Sequence, residues 1–420
     1  MTETRRGGLP QPAARLPPVF GHPVRFGRRS GICGEARLGE DLISHWRRFA
    51  PLPHSDAHQV AGLHEAVLAS GLTGRGGGHF PVAEKWRRTR AGGGARTVVA
   101  NGAEGEPLSR KDAALLQLRP HLVLDGLVIA ASGLGADDLV VWLHAGATQT
   151  RAAVERAMLE RRAAGLVEPR IRIAVGPDLY LSGESSAVVQ ALSGGPALPT
   201  FRLDRTASRS TLVHNAETLA RVALASRFGA DAQRGQLLTV ADDDDLTVVE
   251  ADGSTTVATI LESLIGPRTA PSAVLIGGYG GRWLPWREAG AVVAKAVEQG
   301  RPGFDIGAGV LWPLPAGRCG VQVAADIAAY LADRTARQCG PCMFGLPAVN
   351  QLMSDLACGR ASRRSQARLV SQLTEIGGRG ACHHPDGAVR MIASALSTFA
   401  EDVDHHLRRG RCAITGERLR

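Results

Sequence analysis

The sequence predicts three folded parts in series: an α/β domain with a parallel sheet, a small β-grasp-like module and a helical C-terminal region. Strand-like and helix-like segments alternate from about residue 56 to 240, which is typical of a parallel sheet covered by helices. A strand–turn–strand–helix–strand pattern then extends to residue 317, and helical periodicity continues from 318 to 420. A chain of 420 residues is long enough for two or three such domains.

The first two parts of the chain are separated by composition. Residues 1–55 are rich in Pro, Gly and Arg, which predicts an extended lead-in. Six segments support the α/β assignment of residues 56–240. We predict strands at Arg96–Asn101, Leu139–His144 and Arg170–Val175, and helices at His58–Leu72, Pro120–Ser132 and Thr148–Gly165.

The acidic run Asp242–Asp245 marks a boundary, so we place the second module at residues 241–317. Leu246–Glu250 is predicted as a strand, followed by a turn, a helix at Thr256–Ile265 and a strand at Ala273–Ile276. The final part, residues 318–420, is helical throughout.

Composition excludes two classes of function. The net charge is +9, but aromatic residues make up only 4% and the arginines are scattered, so a nucleic-acid-binding stripe is not expected. The most apolar segment, Leu122–Leu134, contains Asp125 and two glycines, and the first twenty residues have no apolar core of a signal peptide. We therefore expect a cytoplasmic protein with no direct membrane insertion, at most peripheral to the inner face of the cell membrane.

The cysteines indicate a metal or cluster site near the C-terminus. The chain has seven, an odd number that argues against a disulfide framework. Five of them follow Gln338: Cys339, Cys342, Cys358, Cys382 and Cys412.

A glycine-rich loop, SGLTGRGGGHFPVAEKW, occupies Ser70–Trp86. Its backbone N–H groups have no Cβ obstruction, so it suits a phosphate or a flat ring approaching the main chain. It lacks the GK[ST] of a Walker A loop, and it follows a predicted helix instead of the strand that precedes a Rossmann fingerprint.

This loop resembles the GRGGAGFPTGLKW segment of the NADH-binding flavoprotein subunit of respiratory complex I, which in bacteria is the F subunit of NADH-quinone oxidoreductase. Four further segments resemble that family in the same order. NGAEGEPLSRKD (Asn101–Asp112) is similar to NADESEPGTFKD, and YLSGESSA (Tyr180–Ala187) to YICGEETA. TLVHNAETL (Thr211–Leu219) is similar to TVNNVETL, and CGPCMFG (Cys339–Gly345) to the end of SCGKCTPCREG.

The resemblance implies an FMN-binding α/β domain, a ubiquitin-like module of SLBB type and a helical iron–sulfur domain. NADH would be the substrate, and FMN and a 4Fe–4S cluster the cofactors. By position, these residues would line the FMN site: Gly74, Arg75, Gly76, Lys85, Asn101, Glu104, Gly183, Glu184, Asn215 and Thr218. Phe80, Glu106 and Tyr180 would complete the cofactor site, with Phe80 stacking on the adenine of NADH.

Several positions depart from the family pattern. His79 stands where the family has Gly, and Ala103 replaces an Asp. Ser185 replaces the second Glu of a Glu–Glu pair near the nicotinamide, and Arg88 replaces an aromatic partner of Phe80. We therefore expect NADH binding to be eroded more than FMN binding.

The cluster motif also departs, because Ala336 occupies the first of four ligand positions. Cys339, Cys342 and Cys382 would be the three remaining ligands. The fourth could be Cys358, His383 or water, or the cluster could contain three irons or be lost. We interpret Cys33, Cys319 and Cys412 as structural.

Three functions remain open on this basis. The first is electron transfer from NADH through FMN to an iron–sulfur cluster, and on to a quinone-linked or ferredoxin-type acceptor. The second keeps FMN but exchanges electrons with a ferredoxin-like partner, whose acidic surface would suit the basic chain. The third is a catalytically silent paralogue that acts in the assembly of other redox subunits.

Overall fold

A computed structural model describes Ile32 and residues 39–52, 57–200, 210–233, 235–242, 245–265, 270–293, 306–314, 317–410, 412 and 414. Most of the predicted lead-in therefore lies outside the described residues. Its described part contains helix α1 (Leu42–Phe49), whose first turn is capped because Ser44 N donates to Asp41 Oδ1 at 2.7 Å.

The first sheet has four parallel strands, in the order β3-β2-β1-β4. They are β1 (Thr97–Asn101), β2 (Asp138–His144), β3 (Arg170–Gly176) and β4 (Thr211–Asn215). Strands β1, β2 and β4 contain short runs of β-branched or other apolar residues, which favours strands buried between helices, whereas the edge strand β3 is only partly buried. Because β1 pairs with β2 on one side and with β4 on the other, the chain reverses its direction of winding at β1.

Seven helices cover this sheet. They are α2 (Ala57–Ala69), α3 (Val82–Ala91), α4 (Lys111–Leu118), α5 (Pro120–Leu134), α6 (Thr148–Ala163), α7 (Ser185–Leu192) and α8 (Ala216–Phe228). Helices α5 and α8 pack backbone to backbone, since a Cβ at Gly126 would lie 1.9 Å from the carbonyl oxygen of Leu219. Helix α7 lies on the other face, where Val188 packs in an apolar cluster with Trp142.

The second sheet has five strands in the order β6-β5-β9-β7-β8. They are β5 (Gly235–Asp242), β6 (Asp245–Asp252), β7 (Ala273–Ile276), β8 (Arg282–Pro285) and β9 (Val310–Pro313). Only β5 and β9 run parallel; the other described pairs are antiparallel. Helices α9 (Val257–Ile265) and α10 (Trp286–Ala289) lie between the strands in sequence, and α9 packs its apolar side on the sheet.

The C-terminal region is a bundle of five α-helices. They are α11 (Gly320–Asp333), α12 (Leu346–Ala357), α13 (Arg363–Ile376), α14 (His384–Thr398) and α15 (Ala400–Arg409). A π-helical turn, Pro341–Gly345, leads directly into α12. The bundle shares one apolar core with the second sheet, in which Trp283 stacks against Phe399 with ring centroids 5.3 Å apart.

The predicted strands and helices of the first domain are all present, with ends that differ by a few residues. The segments at Thr211–Asn215 and Gly235–Asp242 were not predicted as strands. Strands β5 and β6 form a hairpin in which Asp242 pairs with Asp245, so the predicted boundary between residues 240 and 241 falls inside β5.

No single helix among the described residues has the length and apolar composition needed to cross a membrane. Taken together, α4 and α5 meet these two criteria, but they are bent by 97° relative to each other.

Candidate functional site

The predicted flavin-binding residues gather at the carboxyl edge of the first sheet. Asn101 and Asn215 end the adjacent strands β1 and β4 and are register partners. This is the point at which the strand order reverses, where open parallel sheets bind their ligands. The fold therefore creates a crevice between these two strand ends.

The glycine-rich loop forms one wall of this crevice. Its base is closed because Gly74 N donates to Phe80 O at 2.9 Å, and it is tied to helix α8 because Arg75 N donates to Thr218 Oγ1 at 2.8 Å. A Cβ at Gly76 would lie 3.3 Å from the Cβ of Asn215, so the loop backbone passes close to the end of β4. A Cβ at Gly78 would meet no protein atom within 4 Å. The loop thus presents bare backbone to the crevice.

Lys85 supplies a buried cation beneath this loop. Its ammonium donates to Val213 O of strand β4, and no carboxylate of the described residues pairs with it. Burial lowers the pKa of Lys85 to about 8. The neighbouring His214 accepts a hydrogen bond from Trp86 Nε1 at 2.9 Å, and burial together with the Lys85 charge holds its pKa well below the usual range. An unpaired buried ammonium of this kind favours a negatively charged ligand nearby.

Two family loops are in direct contact beside the crevice. Asn101 Nδ2 donates to Gly183 O at 2.7 Å, and its Oδ1 accepts from Ala103 N at 3.2 Å. A Cβ at Gly105 would lie 2.0 Å from the carbonyl oxygen of Tyr180, so glycine is required there. Glu184 is the N-cap of α7, and its Oε2 accepts from Ser186 N at 2.8 Å.

Glu104 and Glu106 have different surroundings. Glu104 stabilises its own loop through two hydrogen bonds. Its Oε1 accepts a hydrogen bond from Ser109 Oγ at 2.6 Å, and its Oε2 accepts one from Ala113 N at 2.9 Å. Glu106 Oε2 accepts from Tyr279 N of the second sheet at 2.9 Å, and its carboxyl group also bonds the Tyr180 hydroxyl. The residue is partly exposed, but its carboxyl group is enclosed, and this burial raises the pKa of Glu106 to about 7.

A buried ionic network that the sequence reasoning did not identify lies behind Asn215. Lys111 Nζ donates to Asp112 at 3.0 Å and to Glu217 at 3.3 Å. Asn215 joins it, because its Nδ2 donates to Asp112 Oδ2 at 2.6 Å while its Oδ1 accepts from Glu217 N at 3.0 Å. The signal was present in the sequence: Lys111 is one of three lysines in the chain, and Asp112 ends a family motif.

The departures near the predicted NADH site have defined geometry. The guanidinium carbon of Arg88 lies 5.0 Å from the ring centroid of the exposed Phe80, so a cation–π contact replaces the aromatic partner. His79 has a φ of 41°, in the left-handed region that favours the glycine of the family. Ser185 is exposed at the first position of α7.

The donor set fits FMN. A bare glycine backbone, a buried unpaired ammonium and two asparagine side chains converge on one crevice, which suits an anionic phosphate and a flat ring with polar edges. All thirteen predicted residues lie in loops, at strand ends or at helix starts of the first domain; that they line one cofactor site stays a prediction.

The three predicted cluster ligands also come together. Cys339 Sγ and Cys342 Sγ are 2.9 Å apart at the start of the π-helical turn. Burial raises the pKa of Cys342 to about 12, and the neighbouring thiols of Cys339 and Cys382 add to the effect. Ala336 is nearly buried three residues before Cys339. Three neighbouring thiols fit three of the four ligand positions of an iron–sulfur cluster.

The two protein candidates for a fourth ligand are placed less favourably. Cys358 follows the last residue of α12, so the length of that helix separates it from Cys342. The side chain of His383 is 84% exposed and its Nδ1 lies 3.6 Å from Asp386.

The comparisons with known proteins agree with this geometry. The Nuo51 FMN-binding domain model matches residues 67–224, and the NADH-ubiquinone oxidoreductase-F iron-sulfur binding region matches residues 322–406. Similar proteins include the F subunit of NADH-quinone oxidoreductase of Streptomyces coelicolor, 25% identical over 81% of this chain and 82% of that protein. Another is the NAD-reducing hydrogenase HoxS subunit alpha of Cupriavidus necator, 27% identical over 80% of this chain and 59% of the relative.

A solved structure shares the fold. The NAD+-reducing NiFe-hydrogenase in the H2-reduced state superposes with a TM-score of 0.76 and 25% identity, over 88% of this chain and 67% of that chain. The two family models together match more than half of the sequence, in the order of the FMN domain and then the iron–sulfur region. The chain belongs to the family of FMN- and iron–sulfur-binding F subunits of NADH-quinone oxidoreductase, as a divergent member.

Proposed function

We propose that the chain takes hydride from NADH at an FMN held in the crevice of the first sheet and passes the electrons to an iron–sulfur cluster in the helical bundle. The observation that carries this proposal is the buried ammonium of Lys85 beneath the glycine-rich loop, without a carboxylate partner among the described residues. FMN accepts two electrons as hydride and releases them singly, and the cluster carries them one at a time.

The residues of the crevice would hold and tune the flavin. The backbone of Gly74–Gly78 would cover one face of the ring, and the Asn101 amide has a second N–H to offer its polar edge. Lys85 would stabilise negative charge on the ring, because an ammonium in a water-poor site interacts strongly with a nearby anion. Asn215 and the start of α8 would hold the phosphate end through the N-terminal N–H groups of the helix.

A packed route would connect the two cofactor sites. The ring of Tyr180, beside the crevice, lies 5.4 Å from the ring of His384, which is two residues from Cys382. A Cβ at Gly280 would touch both the Tyr180 hydroxyl and Gly387 of the bundle. The flavin loops and the cluster loop are therefore in direct contact, which suits short-range electron transfer.

We infer that the second sheet with α9 is a β-grasp module of SLBB type, beginning at β5. In its own numbering the strand order is 2-1-5-3-4, with the first and last strands parallel at the centre. Its loops support the site: Gly278 packs on the Glu106 carboxyl group, and Gly307 lies against Gly77 of the glycine-rich loop.

We propose that the cluster is held by Cys339, Cys342 and Cys382, with a non-cysteine ligand on the iron nearest Ala336. The similar proteins are named as subunits, so we also propose that this chain assembles with other redox subunits. The net charge of +9 favours an acidic, ferredoxin-type acceptor, and docking onto such a complex would place the chain at the inner face of the cell membrane.

Two observations favour the second function, in which a ferredoxin replaces NADH. The family's second glutamate near the nicotinamide is Ser185 here, and the Arg88 guanidinium lies over the ring of Phe80. An anaerobic NADH titration of the purified, cluster-reconstituted chain separates the possibilities. Bleaching of the flavin by NADH supports the proposal; flavin that only a reduced ferredoxin bleaches supports the second function; a chain that takes up neither flavin nor iron contradicts both and supports the silent paralogue.

A further inference from the structure

A second group of metal-ligating side chains lies in the helical bundle and shares no residue with the cluster site. Cys319, His406 and Cys412 are buried, and their ligand atoms all lie within 4.8 Å of one another. They come from the start of α11, the last turn of α15 and the segment after it. The sequence alone predicts a structural role for Cys319 and Cys412. The fold places both beside a histidine, so that the three side chains form a group of metal-binding residues.

The imidazole of His406 is oriented as a metal ligand. Its Nδ1 lies 3.2 Å from the carbonyl oxygen of Leu356, which can only accept a hydrogen bond, so Nδ1 carries the proton. The lone pair of Nε2 therefore points at Cys319 Sγ, 3.5 Å away. A backbone carbonyl that fixes the tautomer through the remote nitrogen is the usual outer-shell partner of a metal-bound histidine.

The spacing of the ligand atoms fits zinc. Sulfur at about 2.3 Å and nitrogen at about 2.0–2.1 Å from a tetrahedral zinc ion are roughly 3.6 Å apart. The observed distance of 3.5 Å between Cys319 Sγ and His406 Nε2 agrees with this value. Two thiolates and one imidazole also form a soft donor set that prefers Zn²⁺ over Mg²⁺ or Ca²⁺.

Cys319 is the N-cap residue of α11 and its side chain is buried. Burial raises the pKa of the Cys319 thiol to about 12, so binding of a metal ion would release a proton from it, since the thiolate is the form that binds a metal.

We propose that Cys319, His406 and Cys412 bind one Zn²⁺ ion, with a water molecule in the fourth position. The ion connects the start of α11 to α15 and to Cys412, so it links the first and last helices of the bundle. Metal binding contributes directly to folding when the ligands come from separate segments. Bound zinc would therefore hold Cys412 against the start of α11.

The test is a zinc count and a zinc-edge X-ray absorption spectrum on the full-length chain, expressed in zinc-supplemented medium. We expect one zinc per chain, with two sulfur ligands at about 2.3 Å and one nitrogen at about 2.0–2.1 Å. The zinc edge does not detect iron, and the set of two sulfur ligands and one nitrogen ligand distinguishes this site from zinc bound by the three thiols of the cluster site. His406→Gln and Cys412→Ser should each lower the zinc content at least tenfold.

Matched controls are His405→Gln and Cys358→Ser, which alter a neighbouring histidine and another cysteine of the same bundle; both should keep the zinc and the iron. If the site variants do not fold, removal of zinc from the wild-type chain with a chelator should lower its thermal midpoint, and added Zn²⁺ should restore it. Wild-type protein with less than a tenth of a zinc per chain, or with a Cys319–Cys412 disulfide in mass spectra of alkylated protein, would overturn the proposal.

Discussion

The flavin crevice and the cluster site are built in opposite ways. The crevice distributes its contacts over backbone groups, two asparagines and one buried ammonium that come from separate loops. The cluster site concentrates its binding in three thiols, two of which are 2.9 Å apart. Sequence divergence has affected both: Ala103 and His79 in the crevice, Ala336 at the cluster.

This difference shows why the two sites tolerate divergence differently. A site made of many hydrogen bonds loses a small part of its binding energy with each substitution, since each bond contributes about 1 kcal/mol net. A cluster ligand is one of four bonds to iron, so its loss removes a large part of the site at once. Single substitutions at the two sites should therefore differ in the size of their effect.

The largest effect is expected for Cys342→Ser. Cys342 is buried between the other two ligands, and a site that already lacks one cysteine should not hold a cluster with two. Iron and acid-labile sulfide should fall at least tenfold, while the flavin content stays within twofold of wild type. Cys358→Ser is the control and should keep its iron. Normal iron in Cys342→Ser would mean that the ligand set is wrong.

Replacement by Met should change the free energy of unfolding in opposite directions at Lys111, which is paired with carboxylates, and at Lys85, which is not paired with any carboxylate of the described residues. Lys111→Met leaves Asp112 without its cation, while Glu217 keeps Arg221, and it should cost about 3–5 kcal/mol of unfolding free energy. Lys85→Met removes an ammonium without a carboxylate partner, so the flavin-free protein should become more stable at about pH 7, while FMN affinity falls at least tenfold.

The pH dependence of the Lys85 effect follows from its lowered pKa. The folded-state pKa is about 8, below the unfolded value of about 10.4, so the buried ammonium costs stability below about pH 8. This cost disappears as the pH rises to about 10. The stability gain of Lys85→Met should therefore shrink over that range in denaturant titrations. A loss of stability in the flavin-free variant at pH 7 would contradict the assignment.

Ala336→Cys should restore a fourth cysteine ligand. Because Ala336 is nearly buried three residues before Cys339, a thiol there is in the family register for the cluster. We expect the cluster absorbance to decay severalfold more slowly in air. Ala332→Cys, one helical turn earlier in α11, is the matched control and should leave the decay rate unchanged. Equal decay in both variants would remove Ala336 from the cluster site.

Glu106→Gln should stabilise the protein at alkaline pH. The folded-state pKa of about 7 is above the unfolded value near 4.5, so folding carries a penalty that is absent below about pH 4.5 and complete above about pH 7. Gln keeps the acceptor for Tyr279 N and removes the charge. The stability gain should grow by on the order of 2 kcal/mol between about pH 5 and pH 8. Glu155 is exposed, so Glu155→Gln is the control, and its effect on stability should not change with pH. A stability gain of Glu106→Gln that also stays constant with pH would show that the Glu106 carboxyl group is solvated.

The smallest effect is expected at His79. Its φ of 41° strains any residue with a Cβ, so His79→Gly should be more stable than His79→Ala by about 1 kcal/mol. Thermal unfolding of the two variants gives the comparison without the imidazole. A more stable Ala variant would show that the loop backbone is not held in the left-handed region.

The sequence predicted most clearly those elements that have a regular hydrophobic pattern or clear turn residues at their ends. The amphipathic helix α6 and the strands β1, β2 and β3 are recognisable because turn residues bound them. Helices α4 and α8 were missed for a physical reason: α8 has ten consecutive buried residues, from Ala216 to Ala225, and therefore no exposed face over that length. Strand β5 is buried along almost its whole length and likewise has no alternation.

The sequence by itself determined the family and the glycine-rich loop and predicted three cluster ligands, because these depend on residue types at fixed spacing along the chain. Only the tertiary structure decided which charges are paired and which are alone. Lys85 and Lys111 are both lysines inside family motifs, yet Lys111 meets Glu217 across more than one hundred residues, whereas Lys85 meets a carbonyl and no carboxylate of the described residues. Likewise, only the tertiary structure brings His406 close to Cys319. Burial and long-range pairing set the pKa and ligand chemistry of a side chain, and neither is a local property of the sequence.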